Sequence, residues 1–189
     1  MAELLLSMED VACRRGGRLL FHQVSLMLCA GDAAIVTGPN GVGKSSLLRL
    51  VGGLLPESSG RIERNCAIAL ADDGLALDER LTLGAALRFW ARIDAADAAT
   101  GMEAMGLSEL SGVPVRMLST GERKRAVLAR VVSSGAPLWL LDEPSNGLDA
   151  DGQERLARAM AEHRRSGGAI LAATHLPLDL QDAAVVALT

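Results

Sequence analysis

Apolar residues in this chain fall into short unbroken runs, separated by longer stretches in which they recur every three or four positions. The runs read as buried strands and the longer stretches as helices, which predicts an α/β domain around a largely parallel sheet. Leu4–Leu6 and Val24–Leu28 are expected as strands of an N-terminal antiparallel β layer, with Gly16-Gly17 as a turn between them. Ala33 to Thr37 predicts a buried strand that runs into a glycine-rich turn and then an apolar helical pattern, Ser46 to Val51. Pro56 to Gly60 reads as a polar turn, and Ala67–Ala71 as a further strand. Between about 78 and 118, alanine-rich helical stretches (Leu83–Ile93 and Ala95–Met105) are broken at Gly101, Gly106 and Gly112. They predict a small helical subdomain within one domain spanning 1–189, not a second domain. Strands return at Pro137–Leu141 and Gly168–Ala173 around a helix from about Ala150 to Arg165, and Val185–Leu188 is expected as a last edge strand.

Composition narrows the picture. A length of 189 residues, 49% of them apolar, supports one well-formed core. Aromatic residues are two Phe, two Trp and no Tyr, so that core must be aliphatic, and a bound base must rest on something other than tyrosine. A net charge of −4 argues against a nucleic-acid or anionic-membrane surface, while a local phosphate site stays open. Cys13, Cys29 and Cys66 are odd in number and widely spaced, which indicates neither a disulfide framework nor a zinc site and suits a reducing compartment. Glu3 stands where a secretion signal carries bases, and no apolar run reaches membrane-spanning length. Action at a membrane is therefore expected to need a partner.

Gly38-Pro39-Asn40-Gly41-Val42-Gly43-Lys44-Ser45 satisfies G-x-x-x-x-G-K-[ST], the phosphate-binding loop, with a predicted strand before it and a helix after it. The glycines let backbone N–H groups converge on an anion, Lys44 reaches the β- and γ-phosphates, and Ser45 can ligate Mg²⁺. Ser46 stands where a dinucleotide-binding turn would have its third glycine. Leu138 to Leu141 followed by Asp142-Glu143 is an apolar strand ending in two carboxylates, the arrangement of a Walker B segment. Asp142 is then a candidate magnesium residue and Glu143 a candidate for polarising the attacking water. Ser119-Thr120-Gly121-Glu122 also carries the signal of a helix N-cap, a serine with an acid three residues later.

Leu118-Ser119-Thr120-Gly121-Glu122, with Arg125 trailing, resembles the signature of the ATP-binding cassette (ABC) ATPases. The order along the chain fits that family: phosphate loop, helical insertion, signature, Walker B, Ser145 to Asp149 as a D-loop, and Thr174-His175 as the switch histidine. The resemblance implies a P-loop NTPase of ABC type. It also implies ATP and Mg²⁺ as cofactors, Gly38 to Ser46 and Ser119 to Glu122 as nucleotide contacts, Ser45 and Asp142 at the metal, and Glu143 and His175 as catalytic residues. It further implies an ATP-dependent homodimer in which the signature comes from a facing copy, integral membrane subunits as partners, and a peripheral place at the cytoplasmic face of the inner membrane. Three departures stand out. Ala69 to Gly74 has no glutamine where the Q-loop is expected, Thr120 and Glu122 alter the signature, and the adenine-stacking aromatic is missing, with Arg14 and Arg15 near its place. Either guanidinium can lie on a base. Short length and the stretches Arg80 to Trp90 and Ala172 to Leu178 are similar to the ATP-binding subunits of haem exporters used in cytochrome c maturation. No histidine or cysteine has an axial-ligand context, so direct haem ligation is not expected. The alternatives are the ATPase of another small ABC exporter and a low-turnover regulatory platform. A soluble ABC protein acting on DNA or ribosomes is disfavoured, since tandem cassettes and basic extensions are missing.

Overall fold

A computed structural model describes residues 2–189. Strands β1 (Leu4–Arg15) and β2 (Arg18–Cys29) form a long hairpin closed at Gly16-Gly17, both with positive φ, the turn geometry that matches strand twist. Then follow β3 (Ala33–Thr37), α1 (Lys44–Val51), β4 (Ser59–Arg64) and β5 (Ile68–Ala71). The helical subdomain holds α2 (Leu83–Ile93), α3 (Ala98–Ala104) and short 3₁₀ turns at Ser108–Leu110 and Val115–Met117. The chain closes with α4 (Thr120–Ser133), β6 (Leu138–Asp142), α5 (Ala150–Arg165), β7 (Ala169–Ala173) and β8 (Ala184–Ala187).

Two sheets result. One is antiparallel with order β2-β1-β4, and the other is parallel with order β5-β6-β7-β3-β8. Both faces of the parallel sheet are covered, which is why its strands read as unbroken apolar runs. Leu138 and Leu140 of β6 face a core shared with the hairpin and α1, while Trp139 and Leu141 face a second core shared with the helical subdomain and α5. The α/β architecture with an N-terminal antiparallel layer, a parallel core and a helical subdomain agrees with the expectation.

Differences are local and have physical causes. β1 and β2 each run 12 residues, far beyond the short segments expected. Bulges between Met8 and Val11 and between Val11 and Cys13 reset the register, and Leu5–Met8 are all buried, so no clean alternation survives in the sequence. The turn expected at Pro56 to Gly60 gives way at Ser59 to β4, a strand hidden because it buries one apolar residue, Ile62. α3 starts three residues later than its pattern, since Ala95 adopts φ 52° and Asp97 caps the helix at Ala99.

Candidate functional site

Because β3 lies beside β7, and β7 beside β6, the carboxyl ends of the three central strands meet at one end of the parallel sheet. The phosphate loop, Asp142-Glu143 and Thr174-His175 leave from those ends, where open α/β sheets place their ligands. The loop opens directly into α1. Gly43 is its N-cap at φ 118°, with no side chain capping the first turn, so the amides at the start of α1 stay available to an anion. A Cβ on Gly43 would press on the Phe21 ring (3.0 Å) and on Leu20 (3.2 Å), so glycine also lets the hairpin seat against the loop. Lys44 is buried, and its ammonium donates to the carbonyls of Gly38 (2.9 Å) and Pro39 (3.3 Å). That holds the charge at the loop's concave side, as a phosphate site requires.

Asp142, the last residue of β6, is 4% exposed, and burial pushes its carboxyl above the ordinary range. The Ser45 hydroxyl and the Lys124 cation pull it down, while the charges of Asp73 and Glu143 push it further up. A serine hydroxyl beside a crowded carboxylate is a hard-oxygen pair, and a divalent cation relieves the crowding, so these residues fit magnesium. Among the described residues no group of three or more His, Cys, Asp or Glu is arranged to hold a metal.

Glu143 follows with φ 44°, a conformation uncommon outside glycine, held by its N–H donating to the Ala173 carbonyl at 2.8 Å. Its Oε1 lies 2.9 Å from His175 Nδ1, and its Oε2 accepts from the His175 backbone N–H at 3.4 Å. A carboxylate only accepts, so the bond assigns the ring proton to Nδ1 and leaves Nε2 for a substrate. Thr174 sets this turn: its hydroxyl accepts from the Leu176 N–H at 3.0 Å and donates to the Leu176 carbonyl at 3.2 Å. A cleft of about 430 Å³ is lined by Asn40, Gly41 and Gly43 to Ser46 of the loop, by Glu143, and by Arg15 and Leu20 of the hairpin. Its volume suits a nucleotide-sized ligand.

The signature residues lie elsewhere. Ser119 caps α4, its hydroxyl accepting from the Glu122 N–H (3.3 Å) while Glu122 accepts from the Ser119 N–H (2.7 Å), so the capping box read from the sequence is present. Those bonds to Ser119 hold the Glu122 carboxyl below its usual range. The acid in place of glutamine is therefore occupied in stabilising the helix start. Ser119 and Thr120 are exposed, and Thr120 lines a separate cleft of about 330 Å³ with Asp73, Lys124 and Asn146. The fold thus brings Gly38–Ser46, Asp142, Glu143 and His175 together, and holds Ser119, Thr120, Gly121 and Glu122 apart from them.

In the stretch without a Q-loop glutamine, Asp72 pairs with Arg49 of α1 at 3.2 Å. The residue that motif reading passed over is Lys124, whose ammonium donates to the Asp142 carbonyl at 3.3 Å. Its only sequence signal was rarity, one of two lysines in the chain.

The ABC transporter family profile matches residues 21–146. The chain is 52% identical, over 95% of its own length and 94% of the relative's, to the cytochrome c biogenesis ATP-binding export protein CcmA of Sphingopyxis alaskensis. The protein of the same name from Novosphingobium aromaticivorans is 54% identical over 96% of this chain and 94% of its own. Among solved structures, an ATP-binding subunit of an ABC transporter superposes with a TM-score of 0.83 at 24% identity, covering 91% of this chain and 80% of that one.

Proposed function

The chain belongs to the ABC transporter family of ATP-binding proteins, and from that premise we propose that it is the ATP-hydrolysing subunit of an export complex for cytochrome c maturation, handling haem through its partners. The observation that carries this reading is Glu143, which shares one cleft with Lys44 and Ser45 and meets His175 at 2.9 Å. Lys44 and the amides at the start of α1 bind the phosphates. Arg15 and Leu20 line the same cleft and hold the base, in place of an aromatic ring. Ser45 and Asp142 would hold magnesium, which would supply charge neutralisation to the phosphates. Glu143 accepts hydrogen bonds on both oxygens from His175, which fixes it to polarise the attacking water and leaves His175 Nε2 to contact the γ-phosphate when ATP is bound. Most of the rate comes from positioning and charge, because phosphoryl transfer asks little covalent chemistry of the protein.

The retained glutamate favours turnover over a low-turnover platform. Among the described residues no helix is long and apolar enough to cross a membrane. The likeness to cytochrome c biogenesis ATP-binding export proteins supports a place at the cytoplasmic face of the inner membrane on integral membrane subunits. The helical subdomain carries the motion to them. ATP hydrolysis by the chain with its membrane partners, compared with Glu143→Gln, tests the reading. Turnover is expected to fall at least about a hundredfold with nucleotide binding retained, and equal turnover in the two would exclude hydrolysis at this site. Co-purification of a haem-handling membrane protein tests the assignment to cytochrome c maturation against export of another substrate.

A further inference from the structure

Only two of the 19 basic residues are lysines. Lys44 serves the phosphate loop, and Lys124 projects from the second turn of α4 toward the other half of the site. Its ammonium donates across to the main-chain carbonyl of Asp142, where β6 ends and Glu143 begins. It also shares a cleft with Asp73, in the stretch after β5 where the glutamine of the resemblance is missing. Burial holds its ammonium below the usual lysine range, while the charges of Asp73, Asp142, Glu143 and Asp72 partly offset that. A lysine that merely packed a helix would keep its charge in water. This one aims a compact cation at the seam between the signature helix and the carboxylate strand. An ammonium can sit among several carboxylates without the planar match that a guanidinium demands.

We propose that Lys124 is a positioning residue for ATP hydrolysis: by bonding the end of β6 and facing the Asp73 loop, it ties the signature helix to the placement of Asp142 and Glu143. The signature and the hydrolytic carboxylates sit on different elements, and α4 packs chiefly with α2 and α3 in the helical subdomain. α4 also packs on β5 of the parallel sheet, and the Lys124 bond is its direct polar link to the residue before Glu143. Arg123, the preceding residue, makes the matching tie on the outer side, bonding the carbonyls of Arg116 and Leu118 and the Glu79 carboxylate.

This inference rests on the hydrolytic reading, so the experiment includes Glu143→Gln as its control. ATP binding, kcat and KM are measured on the complex with its membrane subunits for the wild type, Lys124→Gln, Lys124→Arg, Asp73→Asn and the Lys124→Gln/Asp73→Asn pair. Lys124→Gln is expected to lower kcat about tenfold to a hundredfold, the cost of a small misplacement, with KM and melting temperature essentially unchanged. Lys124→Arg, which keeps the charge but not the compact ammonium, recovers only part of the loss, and the double variant falls no further than Lys124→Gln, the non-additivity of groups acting as one unit. Unchanged kcat in Lys124→Gln overturns the proposal. So does a loss of kcat accompanied by an equal loss of ATP binding and a lower melting temperature, which marks a structural lysine, and so does an additive double variant, which uncouples the Asp73 loop. If the wild type turns over no faster than Glu143→Gln, it is the hydrolytic reading that fails.

Discussion

Arg14 and Arg15 are neighbours in sequence, yet only one of them reaches the nucleotide cleft. Arg14 turns to its own hairpin, its guanidinium donating to the Gly17 carbonyl (3.5 Å) and its N–H to the Ser58 hydroxyl (2.8 Å). Arg15 faces Arg18 across the turn and lines the cleft beside the phosphate loop. The sequence leaves the two equivalent, because the bulges in β1 destroy the alternation from which facing direction is read. Arg15→Ala is expected to weaken ATP binding about threefold to thirtyfold, the range of a cation–π contact from exposed to desolvated. Affinity for inorganic tripolyphosphate should stay the same, and Arg14→Ala should change neither. Equal weakening of both ligands by Arg15→Ala would make Arg15 a phosphate contact instead of a base contact. At the cleft, residue-level reading went further: that Lys44, Ser45, Asp142, Glu143 and His175 would converge was legible, because each stands at or shortly after the carboxyl end of a recognisable buried strand. Lys124 was not, since its partner lies 18 residues away on another element.

Among the elements, the packing of α3 on α4 is the contact that holds the helical subdomain to the signature helix. Glycine at 101 makes it possible: the Gly101 N–H donates to the Ser133 hydroxyl at 3.0 Å, and a Cβ there would collide with that hydroxyl and with the Ala129 carbonyl. Gly101 read as a helix breaker in the sequence, yet it lies inside α3. Its role is close approach, a property of the partner helix that no local pattern encodes. An alanine in a helix interior ordinarily stabilises by about 0.5–1 kcal/mol. Here Gly101→Ala is expected to destabilise by roughly 1–3 kcal/mol, the usual cost of overpacking, and to lower the melting temperature by about 2–12 °C at this chain length. A higher melting temperature would mean that α3 moves aside freely. Element existence was largely legible: α2 and α5 begin and end where their periodicity placed them, whereas β4 escaped notice for want of a second buried apolar residue.

Across the whole molecule, one arrangement supports the ATP-dependent homodimer that we propose for this chain. Ser119 and Thr120 of the signature are exposed, and Thr120 lines a different cleft from the phosphate loop, so a nucleotide on that loop would lack signature contacts from its own copy. Gly121 lies against the Gly147 carbonyl, with 3.3 Å to a Cβ built there, so the start of α4 and the Ser145 to Asp149 turn form one surface. The N-terminus of α4 carries the partial positive charge that suits a γ-phosphate, and a second copy in head-to-tail register can present it. Each copy carries a net charge of −4, so close approach is opposed until the nucleotide's contacts outweigh the repulsion. Glu143→Gln, which should bind ATP without consuming it, is therefore expected to sediment as a dimer with ATP and magnesium and as a monomer without them. Salt near 0.15 M should favour the dimer over very low salt by screening the like charges, with a Debye length of about 8 Å. Adding Thr120→Arg puts a bulky side chain on the signature face, which should keep the protein monomeric at unchanged ATP affinity per chain. A dimer that persists in that double variant would place the interface on another surface and leave the signature without a partner's phosphate to meet.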